Sequence, residues 1–394
     1  MITFLLAGLA TLGPFSIDTY MPSFLAIGES LHASPFQLQQ TLSVYLFCFA
    51  FMMLFHGALS DSFGRRPVIL VSLVIFILAS VGCVFSFDIN HLLFFRGVQG
   101  VAAGAGMVVG RAIIRDLFGG PQAQRLMSRV TMIFGISPAI APIIGGWLHI
   151  WFGWHSVFVF LALLGLLLLV LSYRYLPETL PEIGRQPFTV RPMLKNYQMV
   201  LGNSVFLLLV SAVAFNFAGF FLYIASAPVF VLQHLKLGET QFAWLFVPAI
   251  SGVIFGAYLS GKVAGHLTPQ ATVKLAYMLL IGAASLNLLY NLVFHPEWPW
   301  AVVPLMLYST GMSLAMPSIS LLALDMYPLN RGLVASLQGF AQTMLNAVVA
   351  GLVSPLLSFS SFALAAGMAL FLVTGGCAWI GYARIKAREQ TCTS

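Results

Sequence analysis

The chain has 394 residues, of which 60% are hydrophobic and only 7% are charged, and its formal net charge is +7. A soluble domain carries about 25% charged residues and needs them to cover its surface, so this composition excludes a soluble fold. It also excludes intrinsic disorder, which requires low hydrophobicity. The chain is therefore predicted to be an integral membrane protein.

Twelve stretches are long and apolar enough to cross a bilayer, which takes about 20 residues. Because backbone groups in lipid must bond within their own segment, these stretches are predicted to be helices. They span 2–24, 38–60, 67–86, 91–113, 126–149, 154–175, 203–232, 239–262, 271–294, 300–326, 330–353 and 361–384. We number them helices 1 to 12.

The basic residues predict the orientation of the chain. All but two of the 18 lysines and arginines lie on one side of the predicted membrane, in or next to every second loop or in the C-terminal tail. The exceptions are Lys236, in an opposite loop, and Arg96, inside helix 4. By the positive-inside rule both termini are predicted to be cytoplasmic. The net positive charge is then a consequence of topology, and no nucleic-acid partner is expected.

A polar stretch at 176–202 separates two groups of six helices. It is interpreted as a cytoplasmic linker between an N-terminal half, 1–175, and a C-terminal half, 203–394. An internal repeat supports the division, because four residues of helix 1 recur 206 positions later in helix 7. The pairs are Gly13 and Gly219, Phe15 and Phe221, Pro22 and Pro228, and Phe24 and Phe230. Parallel repeats of this kind are typical of transporters that bind their substrate at the repeat interface.

Helix 1 carries the acidic residue that is placed most deeply in a predicted span, Asp18. A carboxyl group in a medium of low dielectric can exchange a proton near neutral pH. Counting from the predicted outer end of the helix at about 1.5 Å per residue, Asp18 would lie about 9 Å deep. The alternative is that Asp18 only caps a helix break at Pro22. The 206-residue offset aligns Asp18 with Ile224, so the carboxylate has no counterpart in the second half.

The loop between helices 2 and 3 contains residues 57–67, which read GALSDSFGRRP. Glycine at position 64 allows a tight turn, and Asp61 near the start of helix 3 suits the positive end of the helix dipole. The simpler interpretation is a basic loop that only sets the orientation of the chain.

Helices 4 and 5 each contain a further pattern. Residues 92–104 read LLFFRGVQGVAAG and include Arg96. A cation inside a span is costly to bury, so Arg96 is predicted to be a functional residue. The alternative is that Arg96 extends to the membrane interface, since it would also lie about 9 Å deep. Residues 137–146 read SPAIAPIIGG, in which proline frees a carbonyl group and glycine allows close helix contact.

Together these patterns resemble the major facilitator superfamily and, within it, drug:proton antiporter family 1, of the bicyclomycin/chloramphenicol-resistance (Bcr/CflA) branch. The loop is similar to the superfamily signature Gly-x-Leu-x-Asp-x-x-Gly-Arg-Arg/Lys. This resemblance implies that five residues form a gate on the cytoplasmic side: Gly57, Asp61, Gly64, Arg65 and Arg66.

The same resemblance implies roles for residues inside helices 1, 4 and 5. Helix 4 resembles the Arg-x-x-Gln-Gly motif that is associated with proton coupling, and Asp18 is expected to couple protons together with Arg96. Helix 5 resembles the antiporter motif, which ends Gly-Pro-x-x-Gly-Gly, at Pro142, Gly145 and Gly146. Ser137 and Ala141 stand in this chain where the motif has glycine.

The implied fold is an all-α membrane protein with twelve transmembrane helices in two pseudo-symmetric six-helix halves, the major facilitator fold. Pseudo-symmetry then nominates helices 1, 4, 7 and 10 for the substrate pocket. The candidate pocket residues are Phe15, Tyr20, Gln99, Asn216, Phe217, Phe220, Tyr223, Tyr308 and Met312.

The function expected from these observations is proton-coupled export of small drugs or other amphipathic compounds by alternating access. The alternative within the same class is proton-coupled uptake or export of a specific metabolite. A channel or a membrane enzyme is disfavoured, because neither a polar pore lining nor a cluster of catalytic side chains is recognisable. The expected partners are a small-molecule substrate, protons and membrane lipid, with a monomer in the bacterial inner membrane. Neither a cofactor nor a metal is expected, and the proton gradient would supply the energy.

Overall fold

The computed structural model describes residues 2–118, 120–185, 190–264, 266–327 and 331–393. Within these ranges twelve helical segments are long and apolar enough to cross a membrane. They are α1 (Ile2–Ser30), α2 (Pro35–Phe63), α3 (Arg65–Val84), α4 (Ile89–Leu117), α5 (Ile133–Phe152), α6 (His155–Tyr175), α7 (Ser204–Ala225), α8 (Glu239–Val263), α9 (Pro269–Val293), α10 (Val303–Asp325), α11 (Gly332–Leu357) and α12 (Ser361–Arg388). The predicted all-α membrane fold is confirmed.

The helix starts follow from local capping chemistry. Before α2, the Ser34 hydroxyl accepts a hydrogen bond from the backbone N–H of Gln37 at 3.2 Å. The Asp88 carboxylate accepts one from the backbone N–H of His91 at 2.7 Å at the start of α4. Such side chains satisfy backbone donors that have no partner in the first turn of a helix.

Segment α1 is interrupted in the middle. Its α-helix ends at Asp18, a 3-10 turn follows at Met21–Ser23, and a second helix runs over Phe24–Ser30. The cause is local, because Pro22 has no N–H to give to the carbonyl group of Asp18 four residues earlier. The segment extends to Ser30 rather than to the predicted residue 24, so Asp18 lies farther from its outer end than the sequence suggested.

The chain forms two compact units. Unit 1 comprises Met1–Phe188 together with Leu237–Phe246, and unit 2 comprises Thr189–Lys236 together with Val247–Ser394. The polar stretch 176–202, which was predicted only as a linker, contains a 3-10 turn at Glu182–Gly184 and a helix at Val190–Leu201.

In unit 1, α4 packs tightly against α1 and α2 through glycine. A Cβ atom at Gly106 would lie 2.3 Å from the carbonyl oxygen of Leu9, and one at Gly100 would lie 2.2 Å from the carbonyl oxygen of Tyr45. Small residues allow this approach of helix backbones within a membrane. The packing brings the face of α4 that carries Arg96 against α1 and α2.

Candidate functional site

Unit 1 buries both Asp18 and Arg96, which are 4% and 0% exposed. Among the residues that the structure describes, no ion pair includes either of them. Arg96 instead donates from Nη1 to the carbonyl oxygen and the hydroxyl of Ser16, each at 3.0 Å, and to Oε1 of Gln99 at 2.9 Å. The cation of α4 is therefore bound to α1 only two residues before Asp18.

Two aromatic rings enclose the guanidinium of Arg96. Its Cζ atom lies 4.7 Å from the ring centroid of Tyr20 and 4.4 Å from that of Tyr45. The Tyr45 hydroxyl donates to the carbonyl oxygen of Gly13 at 3.1 Å, which fixes its ring against α1. Cation–π contacts of this kind are worth about 2 kcal/mol when they are desolvated, so the rings offset part of the cost of burying the cation.

The guanidinium keeps unused hydrogen-bonding capacity. Among the described residues, Nε and Nη2 of Arg96 have no hydrogen-bond partner. Gln99 does not supply one, because its Nε2 donates to the hydroxyl of Ser80 at 2.8 Å while its Oε1 accepts from Nη1. A carboxylate or another acceptor that reached this cation would meet three N–H groups on these two nitrogen atoms.

Helix α5 contacts α1 next to Asp18. A Cβ atom at Gly145 would lie 1.9 Å from the carbonyl oxygen of Thr19, and one at Gly146 would lie 2.6 Å from that of Glu239. Pro142 lies one turn earlier inside the same continuous helix. The residues of the predicted antiporter motif thus place the backbone of α5 directly against the interruption in α1.

The loop between α2 and α3 carries a charged network around Arg65, which is 8% exposed. Arg65 pairs with Asp61 through Nη1, with Oδ2 of Asp116 at 3.1 Å through Nε, and with the hydroxyl of Ser60 at 2.6 Å. We call Asp61, Arg65, Asp116 and Glu178 the loop cluster. It joins the ends of α2, α3 and α4.

Glu178 completes the loop cluster from the segment after α6. Its carboxylate accepts the backbone N–H groups of Arg65 at 3.0 Å and of Arg66 at 3.2 Å. The negative charge therefore lies at the positive end of the α3 dipole. Gly64 has φ +98°, as the predicted tight turn requires, and a Cβ atom there would lie 2.5 Å from Oε2 of Glu178.

The other two signature residues make separate contacts. Arg66 donates to the carbonyl oxygen of Tyr173 at 2.6 Å and lies over its ring at 5.2 Å. A Cβ atom at Gly57 would lie 4.0 Å from the side chain of Val108, where α2 meets α4. The sequence motif did not identify Asp116 or Glu178, although both are acidic residues at the ends of spans, a signal that could have indicated them.

Replacing Glu178 by alanine is expected to lower the free energy of unfolding by about 1 kcal/mol, because two N–H groups at the start of α3 lose a charged acceptor. Thermal unfolding in detergent measures this change. Glu182→Ala is the matched control in the same segment. Within the described residues the Glu182 carboxylate pairs only with Arg185, at 3.9 Å, and its side chain is 89% exposed. Equal melting temperatures for the two variants would contradict the capping role of Glu178.

The candidate pocket residues in unit 1 lie in two places. Tyr20 and Gln99 are fully buried and contact Arg96. Phe15 is half-buried, and its ring centroid lies 6.3 Å from that of Phe160. Tyr20 and Gln99 therefore hold the cation in place in this structure, whereas Phe15 lies in a separate aromatic contact.

In unit 2, Asn216 and Tyr308 meet in one buried polar group. Nδ2 of Asn216 donates to the hydroxyl of Tyr277 at 2.9 Å, and the Tyr308 hydroxyl donates to the backbone oxygen of Asn216 at 3.1 Å. In the part of the chain that the structure describes, Oδ1 of Asn216 has no hydrogen-bond partner. Met312 is 3% exposed and lies one turn after Tyr308 on α10.

The remaining candidates of unit 2 belong to α7. The Tyr223 hydroxyl accepts from Nδ2 of Asn287 at 2.7 Å, apart from the group around Asn216. Phe217 is half-buried, and its ring lies edge-on to that of Phe220 at 5.9 Å. Within the described ranges no group of three histidine, cysteine or acidic residues could hold a metal ion.

Comparison with known proteins agrees with this architecture. The model of the Major Facilitator Superfamily matches residues 4–355. The chain is 29% identical over 347 residues to a bicyclomycin resistance protein homologue of Haemophilus influenzae, covering 88% of this chain and 87% of the relative. It is 28% identical over 350 residues to multidrug resistance protein D of Escherichia coli, covering 87% and 86%.

Among solved structures, the crystal structure of a bacterial homologue of the human lysosomal transporter Spinster has the same fold. The TM-score is 0.72 at 15% sequence identity, with 97% of this chain and 95% of that chain covered. The family that was recognised from the loop and helix motifs is confirmed by the match over residues 4–355. The chain is a multi-pass membrane transporter that belongs to the major facilitator superfamily.

Proposed function

We propose that the protein exports small amphipathic compounds in exchange for protons, across a bacterial inner membrane with both termini in the cytoplasm. The observation that carries the proposal is Asp18, a carboxyl group that is 4% exposed at the point where the helix of α1 stops. No cofactor takes part in the proposed cycle, and the working unit is a monomer.

The contacts around Asp18 support a coupling role. Ser16 binds Arg96 on one side of the interruption in α1, and Thr19 contacts the α5 backbone at Gly145 on the other. A change of charge at Asp18 would act on a segment that two neighbouring helices hold. Protonation from the outside would favour one state of the transporter, and substrate binding would favour release of the proton.

The direction and the substrate class are supported by relatives and by the antiporter motif. One relative is named a bicyclomycin resistance protein homologue and another a multidrug resistance protein. Residues Pro142, Gly145 and Gly146 of α5 match the motif that the resemblance associates with antiport. The rival is a proton symporter, which the same fold can support.

Purified protein in liposomes tests both coupling and direction with one imposed pH gradient. With an acidic lumen, an antiporter is expected to accumulate external radiolabelled bicyclomycin above its equilibrium level as protons leave. A protonophore should abolish the accumulation, and liposomes without protein are the control. Accumulation only with an alkaline lumen would assign symport instead, and equilibration without accumulation would assign a channel.

A further inference from the structure

In unit 1 a polar contact joins α5 to the start of α8, at the ends that face outwards in the proposed orientation. Nε2 of His149 lies 3.1 Å from Oε2 of Glu239, and the two side chains are 11% and 33% exposed. An N–H group at Nε2 can donate to this carboxylate whether or not the ring carries a second proton. One turn earlier, a Cβ atom at Gly146 would lie 2.6 Å from the carbonyl oxygen of Glu239. Helix α5 therefore holds both the side chain and the backbone of Glu239.

The start of α8 also lies against the interruption in α1. Its 3-10 turn at Glu239–Gln241 contacts the 3-10 turn at Met21–Ser23, which closely follows Asp18. Phe242 and Phe246, one turn apart at the start of α8, are both 0% exposed. Two consecutive glycines of α5 contact α1 and α8 respectively, so the three helices meet at one place.

Helix α8 is divided between the two compact units. Its beginning belongs to unit 1 with the segment Leu237–Phe246, which we call the outer segment, and the helix from Val247 onwards belongs to unit 2. Alternating access requires the two units to move relative to each other. Because α8 is one continuous helix, such a movement acts directly on the attachment of the outer segment to α5. The contact between His149 and Glu239 is the polar part of that attachment.

We propose that His149 and Glu239 form a latch that keeps the outer segment closed over the interruption in α1. Release of the latch would let the outer segment leave α5 and would open the approach to Asp18 from the outside. The inference rests on the proposed function and specifies what controls access to its proton site. Because the latch is one hydrogen bond, its loss is expected to shift the balance between closed and open segments without unfolding the protein.

The alkylation rate of a buried reporter tests the latch. Phe242→Cys is introduced into protein whose four native cysteines are replaced by serine, and Leu245→Cys, at another position that is 0% exposed, is a second reporter. Purified protein in detergent is treated with fluorescein maleimide. His149→Ala and Glu239→Ala are each expected to raise the rate about fivefold, which corresponds to about 1 kcal/mol for the net contribution of one hydrogen bond. The double variant should react no faster than either single variant, because both remove the same interaction.

His155→Ala is the matched control. The His155 ring stacks on Trp154 with the ring centroids 3.6 Å apart, and among the described residues its side chain forms no ion pair. This variant should leave the reporter rate unchanged. Cys83 on α3, which is 0% exposed, serves as a separate reporter when it is the only cysteine retained. Its rate should not change when the latch is broken.

Two results would overturn the proposal. One is an unchanged reporter rate in both His149→Ala and Glu239→Ala. The other is an equal rise at Cys83, which would indicate a general loosening of unit 1. The assay uses neither a substrate nor a pH gradient. Failure of bicyclomycin transport in liposomes would therefore overturn the proposed function, while the alkylation rates would still decide whether the latch exists.

Discussion

Replacing Asp18 by asparagine is expected to abolish transport that is driven by a pH gradient and to leave the protein folded. Asparagine has nearly the same shape but cannot take up or release a proton. Accumulation of bicyclomycin above its equilibrium level should disappear in liposomes with an acidic lumen. The melting temperature should be unchanged or higher, because burial of an uncharged side chain costs less free energy than burial of a charged one.

The control for this charge removal is Asp88→Asn. Asp88 caps α4 at an exposed position through His91, and asparagine is an equally good capping residue. This variant should transport like the wild type. Exchange of bicyclomycin across the membrane without a gradient should survive in Asp18→Asn, which separates lost coupling from lost binding. Full uphill accumulation in Asp18→Asn would refute the coupling role.

Replacing Gly145 by alanine is also expected to cause a large loss of coupled transport. The added Cβ atom would lie 1.9 Å from the carbonyl oxygen of Thr19, a distance that no real contact allows. Helix α5 would have to move away from α1 next to Asp18. Overpacking of this kind lowers the free energy of unfolding by about 1–3 kcal/mol. Coupled transport is expected to fall by more than about tenfold, because the displacement moves the groups around Asp18 out of their working geometry.

The same helix provides the control, Gly135→Ala. Within the described ranges, a Cβ atom at Gly135 has no neighbour within 4 Å. The substitution should therefore be neutral or stabilise the helix by up to about 1 kcal/mol. Melting in detergent and pH-driven bicyclomycin uptake are measured for both variants. If Gly145→Ala melts and transports like Gly135→Ala, the contact between α5 and α1 does not hold the site.

The sequence predicted the class of protein, the twelve spans and the motif residues, because composition, span length and isolated charges are properties of local sequence. The interruption of α1 is also local, since it follows from Pro22 four residues after Asp18. The length of that segment was underestimated, because α1 resumes as a second helix over Phe24–Ser30 after the 3-10 turn.

The partners of the charged residues depended on tertiary packing. Asp18 and Arg96 were predicted at similar depths, which suggested a shared site. In the structure Arg96 instead forms hydrogen bonds with Ser16 and Gln99 and cation–π contacts with Tyr20 and Tyr45. These contacts come from three helices, and small shifts in helix rotation decide which group reaches a buried cation.

The loop cluster was also predictable only in part from the sequence. Its motif was recognisable in residues 57–67, and the structure confirms the turn at Gly64. Glu178, which closes the cluster, lies 113 positions from Arg65. The sequence by itself determined which charged residues lie inside the membrane or at its edges, because their positions relative to the apolar stretches can be read directly from the local sequence. Only the tertiary structure decided what each charge contacts, because helix packing brings distant segments together.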